Sequence, residues 1–202
     1  MKHAVVAVGA SAGGPAALHQ ILSKLDRNFS LPIVITQHIT PGFVDGMVRW
    51  LDDASALKVK VAEHGEPLRQ GVVYVAADEH HLTIAADRTI ALSDEPLVAG
   101  HRPSATMLFK SVAKAYGAGV LAIILTGMGK DGVDGLAAIR NAGGTVIAQD
   151  EKSSAVFGMP KAAIDAGCTD EIISLDGIIA RIWAAGRPNG VQGGNHGTII
   201  GR

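Results

Sequence analysis

The chain has 202 residues and a formal net charge of −1. That length fits one α/β domain, and the charge balance gives no electrostatic case for nucleic acid or for an anionic membrane surface. Apolar residues make up 48% of the chain and aromatics only 4%, so the core must be built from Ala, Val, Ile and Leu, as in helices packed on a parallel sheet. The single cysteine, Cys168, excludes an intrachain disulfide and suits a reducing cytosol. No segment reaches the roughly 18 apolar residues of a membrane span. Lys2-His3 leads straight into a strand too short for the h-region of a signal peptide. The expectation is a soluble cytoplasmic domain with no membrane insertion.

Ala4 to Val8 is a short apolar run rich in β-branched residues and reads as a buried parallel strand. Gly9-Ala10-Ser11-Ala12-Gly13-Gly14-Pro15 follows, and then a helical pattern to Leu25. The turn therefore sits at the carboxyl end of a strand, where open α/β sheets bind ligands. Three readings compete for it. As a dinucleotide loop it lacks the middle glycine, which is Ser11, and the acidic residue expected at the end of the second strand. As a nucleophile turn, Gly-x-Ser-x-Gly, its register is clean, with small residues flanking a serine beside helix N-terminal amides. As an ordinary glycine loop it holds a serine N-cap.

The second buried strand, Ile33 to Thr36, ends in Gln37-His38-Ile39-Thr40-Pro41. Thr40 reads as an N-cap and Pro41 as the first residue of a helix to about Asp52. His38 stands at this second strand end, either close to Ser11 or as a loop histidine bonded to backbone. From Leu57 to Leu92 the pattern changes to short β-like runs, the last two suggesting a hairpin turning at Asp87-Arg88. His80 and His81, adjacent in a strand, point to opposite faces. No His, Cys and carboxylate set has zinc-like spacing, so no metal and no cofactor are expected. Ser104 reads as the N-cap of a helix from Ala105 to about Tyr116. Val120 to Leu125 repeats the opening plan of apolar strand, glycine-rich turn and helix. Asp131 is the acid at this third strand end, a triad member or an N-cap for the helix from Val133. Thr145 to Ala148, a helix from Pro160, Glu171 to Ile173 and a helix from Asp176 to Ala185 complete the domain, residues 1–185. The Gly- and Asn-rich segment 186–202 reads as a flexible tail.

A serine, a histidine and an aspartate thus stand on three strand-end turns. Their roles fit a hydrolase triad of nucleophile, proton carrier and orienting carboxylate. The chain order Ser…His…Asp disfavours the α/β-hydrolase fold, whose order is Ser…Asp…His.

Val8-Gly9-Ala10-Ser11-Ala12-Gly13-Gly14-Pro15, Thr36-Gln37-His38-Ile39-Thr40-Pro41-Gly42-Phe43, His101-Arg102-Pro103-Ser104, Leu125-Thr126-Gly127-Met128-Gly129-Lys130-Asp131-Gly132 and Ala155-Val156-Phe157-Gly158-Met159-Pro160 occur in this order. Together they resemble the motif set of the CheB family, the protein-glutamate methylesterases of bacterial chemotaxis. The resemblance spans about residues 4 to 185. It implies a three-layer, doubly wound α/β fold, its mostly parallel sheet joined by an antiparallel hairpin. It implies Ser11 as nucleophile, His38 as base and then acid, Asp131 as its orienter, and the Met128 amide as oxyanion donor. It also implies hydrolysis of γ-glutamyl methyl esters on the cytoplasmic helices of methyl-accepting chemoreceptors, with glutamine deamidation in many members. The residue after the nucleophile is commonly threonine in the family and is Ala12 here; a backbone contribution survives that change and a hydroxyl contribution does not. Arg102 reads as a substrate contact for an acidic receptor surface or as a structural residue near Ser104. Family members usually carry an N-terminal receiver domain, for which there is no room before Ala4. The expectation is a stand-alone member or an excised catalytic domain, unrestrained or regulated by a separate protein.

Overall fold

In the computed structural model, residues 3–187 are described; the expected tail lies, from residue 188 onward, outside them. Among the described residues are nine β-strands and six α-helices. They are β1 (Val5–Ala10), α1 (Gly14–Leu22), β2 (Ile33–Gln37), α2 (Val44–Ala54), β3 (Lys58–Val61), β4 (Val72–Val75), β5 (His81–Ile84) and β6 (Ile90–Ser93). There follow α3 (Ala105–Tyr116), β7 (Val120–Ile124), α4 (Val133–Asn141), β8 (Thr145–Gln149), α5 (Met159–Asp165), β9 (Glu171–Ile173) and α6 (Leu175–Ala185).

Seven strands form one sheet in the order β3-β4-β2-β1-β7-β8-β9, and every pair in it is parallel. β5 and β6 pair separately as an antiparallel hairpin. Every residue of β1 and β7 is buried, which is why both read as continuous apolar runs rather than alternations. Their side chains still alternate between faces. Val6, Val8, Leu121 and Ile123 join the core beneath α1, α2 and α6. Val5, Ala7, Val120, Ala122 and Ile124 join a second core beneath α3, α4, α5 and the hairpin. The result is the expected three-layer, doubly wound α/β sheet with its hairpin.

The strand order reverses between β1 and β7, so the chain leaves β1 toward one edge and returns to its other side. In such sheets the crevice outside the carboxyl ends at the reversal is the ligand site. The loops after β1, β2 and β7 carry Ser11, His38 and Asp131 to that edge.

Local differences from the sequence reading lie at helix starts. Thr40 and Pro41 do not open α2: Phe43 is its N-cap, because the Phe43 amide closes a turn on the Thr40 carbonyl at 3.2 Å first. Ser104 occupies the N-cap position of α3 but makes no capping bond of its own. Gly132, not Asp131, is the N-cap of α4. No helix among the described residues is long and apolar enough to cross a membrane.

Candidate active site

The parallel register pairs Ala10 with Gln37, so Ser11 and His38 are the next residues on neighbouring strands. The His38 amide donates to the Ala10 carbonyl at 2.9 Å, extending the ladder by one bond past the strand ends. The Ser11 amide donates to the Thr126 carbonyl at 3.0 Å, which sets the nucleophile turn against the loop after β7. That approach depends on Gly127: a Cβ there would stand 2.7 Å from the Ser11 Cβ and 2.5 Å from the Met159 Sδ, closer than carbon atoms pack.

Asp131 is buried and reaches His38, with Oδ2 2.9 Å from Nε2. The same carboxylate accepts from the Ser104 hydroxyl at 2.7 Å and from the amides of Ala105 at 2.6 Å and Thr106 at 3.1 Å. Asp131 therefore does cap a helix, but the helix is α3, reached across the sheet edge, and not α4. Burial by itself would push its carboxyl up; the bonds from His38, Ser104, Thr106 and Ala105 outweigh burial and hold it far below the usual carboxylate range. An ionised carboxylate only accepts, so His38 donates from Nε2 and keeps a lone pair on Nδ1. Nδ1 is buried and has no hydrogen-bond partner among the described residues. It is the ring nitrogen of His38 left open for a further partner.

Behind this pair a buried relay fixes Ser104. His81, at the start of β5, accepts the Ser104 amide on Nδ1 at 3.2 Å and meets the Pro96 carbonyl at 3.2 Å through Nε2. His80, its neighbour, points outward to Asp94. In front, the His101 ring stacks on His38 with centroids 3.9 Å apart and planes 6° from parallel. His101 is held by two backbone bonds with Val98 across a tight turn in which Ala99 and Gly100 both have positive φ. Burial first, and then the neighbouring His38, lower the His101 pKa, with Asp131 opposing.

The loop after β7 has an amide to offer. Both polar groups of the Gly127 backbone are spent on the loop after β8, its N–H on Val156 and its C=O on Gly158 and Met159. The next amide, that of Met128, donates to no protein group among the described residues, and neither does that of Ala12. The Thr126 hydroxyl donates to the Ala12 carbonyl at 2.8 Å and accepts from the Val156 amide at 2.9 Å, tying the two turns together. Thr126 in turn donates its amide to buried Gln149 at 2.8 Å. Two uncommitted amides flanking a serine turn are what an oxyanion hole requires.

Arg102 is placed between its two expected roles. Its guanidinium donates to the carbonyls of Asp94 and Glu95 at 3.1 and 3.2 Å, and it lines a cleft of about 280 Å³ together with His38, Glu79, Leu97 and His101. Phe43, Leu97 and Met128 are exposed large apolar side chains on the loops around the site. Among the described residues no group of three or more His, Cys, Asp or Glu is placed to hold a metal ion. Sequence reading missed His81, His101, Thr126 and Gln149 as site residues. His101 and Thr126 lie within motifs already singled out; nothing in the sequence marked the other two.

Comparison with known proteins identifies the architecture. The CheB methylesterase family model matches residues 6–182. The chain belongs to this family. It resembles the catalytic domain of the Thermotoga maritima CheB methylesterase, with a TM-score of 0.88, 37% identity and coverage of 91% of this chain and 99% of that one. It is 47% identical over 186 residues to protein-glutamate methylesterase/protein-glutamine glutaminase 4 of Myxococcus xanthus, covering 92% of this chain and 53% of that protein. It is 51% identical over 179 residues to protein-glutamate methylesterase/protein-glutamine glutaminase 3 of Anaeromyxobacter dehalogenans, covering 88% and 52%. The chain thus spans about half the length of these curated relatives.

Proposed function

We propose that this CheB-family domain hydrolyses γ-methyl esters of protein glutamate side chains, with Ser11 as nucleophile, His38 as proton carrier and Asp131 as orienter. The observation that carries the reading is the 2.9 Å contact of Asp131 with His38 Nε2, which leaves Nδ1 free one strand away from Ser11. Ser11 Oγ attacks the ester carbonyl as its proton passes to His38 Nδ1. The imidazolium that forms is stabilised by a carboxylate that does not itself take the proton. The amides of Ala12 and Met128 receive the oxyanion. Collapse returns the proton to the departing methoxide and releases methanol. Water, deprotonated by His38, then cleaves the acyl-serine and leaves the glutamate carboxylate. A glutamine side chain enters the same sequence with ammonia as leaving group, in keeping with the second half of the relatives' names.

The substrate class is the cytoplasmic helices of methyl-accepting chemoreceptors, which places the domain in the cytoplasm. The exposed apolar side chains of Phe43, Leu97 and Met128 around the site support a macromolecular substrate. Arg102, anchored on two carbonyls at the cleft, is the candidate contact for acidic receptor groups. A separate regulatory protein is the candidate for control.

The test is methanol release from a methyl-esterified receptor cytoplasmic fragment by the parent and by Ser11→Ala. Loss of the nucleophile is expected to lower kcat by about 10⁵–10⁶. Release that persists in folded Ser11→Ala would remove Ser11 from the chemistry.

A further inference from the structure

Gln37 is the last residue of β2 and is buried. Its side-chain Nε2 donates to the Ser11 carbonyl at 2.9 Å and to the His38 carbonyl at 2.7 Å. One NH₂ group therefore bridges the backbones of the nucleophile and the base. One further backbone bond, from the His38 amide to the Ala10 carbonyl, joins the same two strand ends one residue earlier. The Ser11 amide is held by Thr126 and the Ser11 carbonyl also by the Gly14 amide.

The amide has only one workable orientation. Turned over, Oε1 would face two carbonyl oxygens, and neither can donate. In the observed orientation Oε1 is buried with no hydrogen-bond donor in reach among the described residues. It fills the space where a Cβ on residue 14 would stand, which explains the second glycine after the serine turn. A buried acceptor without a partner lowers stability. The chain carries that cost at a side chain that joins the two turns.

We infer that Gln37 is a positioning residue for acyl transfer, its NH₂ fixing the spacing between Ser11 and the His38 ring by clamping their backbones. The inference rests on the reading of Ser11 and His38 given above. Reacting groups tolerate little misplacement: a shift of about 1 Å costs on the order of 10²-fold in rate.

The experiment is the second-order rate of labelling by a fluorophosphonate, a serine-directed probe. It is measured across pH for the parent, Gln37→Met and Gln37→Glu, with Ser11→Ala as control and thermal melts alongside. Met has similar reach and no donor, so its labelling rate is expected to fall about 10- to 100-fold in a protein that still melts cooperatively. Glu gives a signature that loss of packing would not. Its buried carboxyl, facing carbonyl oxygens, is pushed up in pKa. When neutral its O–H restores one of the two bonds; when ionised it repels both carbonyls. The ratio of Gln37→Glu to parent labelling should therefore climb as pH falls.

Folded Gln37→Met labelled within about twofold of parent, or a Gln37→Glu ratio flat across pH, overturns the inference. If Gln37→Met does not fold, the Gln37→Glu ratio decides. Parent labelling no faster than Ser11→Ala would overturn the nucleophile assignment, and this inference with it. Ser11-dependent labelling that is indifferent to Gln37 overturns the inference alone.

Discussion

Two helix N-termini meet at this site and are used in opposite ways. At the head of α3, the first amides and the Ser104 hydroxyl converge on the Asp131 carboxylate. At the head of α1, the N-cap is Gly13, no side chain caps the turn, and its first turn holds no acidic residue. The Ala12 amide beside it is uncommitted among the described residues. Both ends offer partial positive charge and N–H donors. One is filled by a permanent anion, the Asp131 carboxylate, which accepts from His38 Nε2 and orients its ring. The other stays open, and in the proposed reaction it receives an anion that exists only while the ester reacts. A helix end already satisfied stabilises the fold, whereas one left unsatisfied lowers the energy of a transition state.

The sharpest way to break this contrast is Asp131→Asn. It keeps the shape and one acceptor but loses the charge that sets the His38 tautomer, so kcat is expected to fall by about 10³–10⁴. The cap on α3 should weaken as well, by about 1 kcal/mol. Steady-state kinetics and urea unfolding on the same preparation check both. Parental activity in Asp131→Asn would mean that the carboxylate serves α3 alone.

Gly127→Ala probes the open side. The added Cβ would stand 2.7 Å from that of Ser11, so the serine turn and the Met128 loop must part. A rate loss of about 10²-fold is expected, with destabilisation of about 1–3 kcal/mol. Fluorophosphonate labelling and thermal melts separate the two effects.

A smaller change is expected from Ser104→Ala. It removes one of the donors to Asp131, which should cost about 1 kcal/mol of stability and raise the Asp131 pKa while leaving it ionised at neutral pH. The check is turnover that falls only a few-fold, by about 10-fold at most, beside a measurable loss in urea midpoint.

The smallest effect at neutral pH is the one that grows in acid. Asp131 has a folded pKa below its unfolded value, so its contribution to stability is fully present above the ordinary carboxylate pKa of about 3.9. It is lost as pH falls from there toward the lower folded value. Unfolding free energies measured from about pH 7 down to about pH 2 should show this acid limb in the parent and a shallower one in Asp131→Asn. Parallel curves for the two proteins would show that the carboxylate gains nothing from the head of α3.

Much of this was legible in the chain itself. Continuous apolar runs at Ala4–Val8 and Val120–Leu125 read as strands buried on both faces, and β1 and β7 are buried throughout. Each is followed by a glycine-rich turn and then a helix, so the parallel sheet and its strand-end turns follow from local pattern, while the three-layer order was what the resemblance to the CheB family implied. Ser11, His38 and Asp131 were legible as candidates for the same reason, since each stands where a strand stops. Tertiary structure decided which groups meet. Asp131 stands just before α4, so the local rule makes it that helix's cap; α3, distant in sequence, supplies the donors instead. Ser104 sits at the N-cap position of α3, yet its hydroxyl goes to the carboxylate. The His101 stack on His38 and the Gln37 clamp likewise depend on the order of strands in the sheet. Periodicity and turn chemistry act over a few residues and are written locally. Hydrogen bonds between strand-end loops join residues 26 to 93 positions apart, and only the packing of the sheet brings those residues within reach.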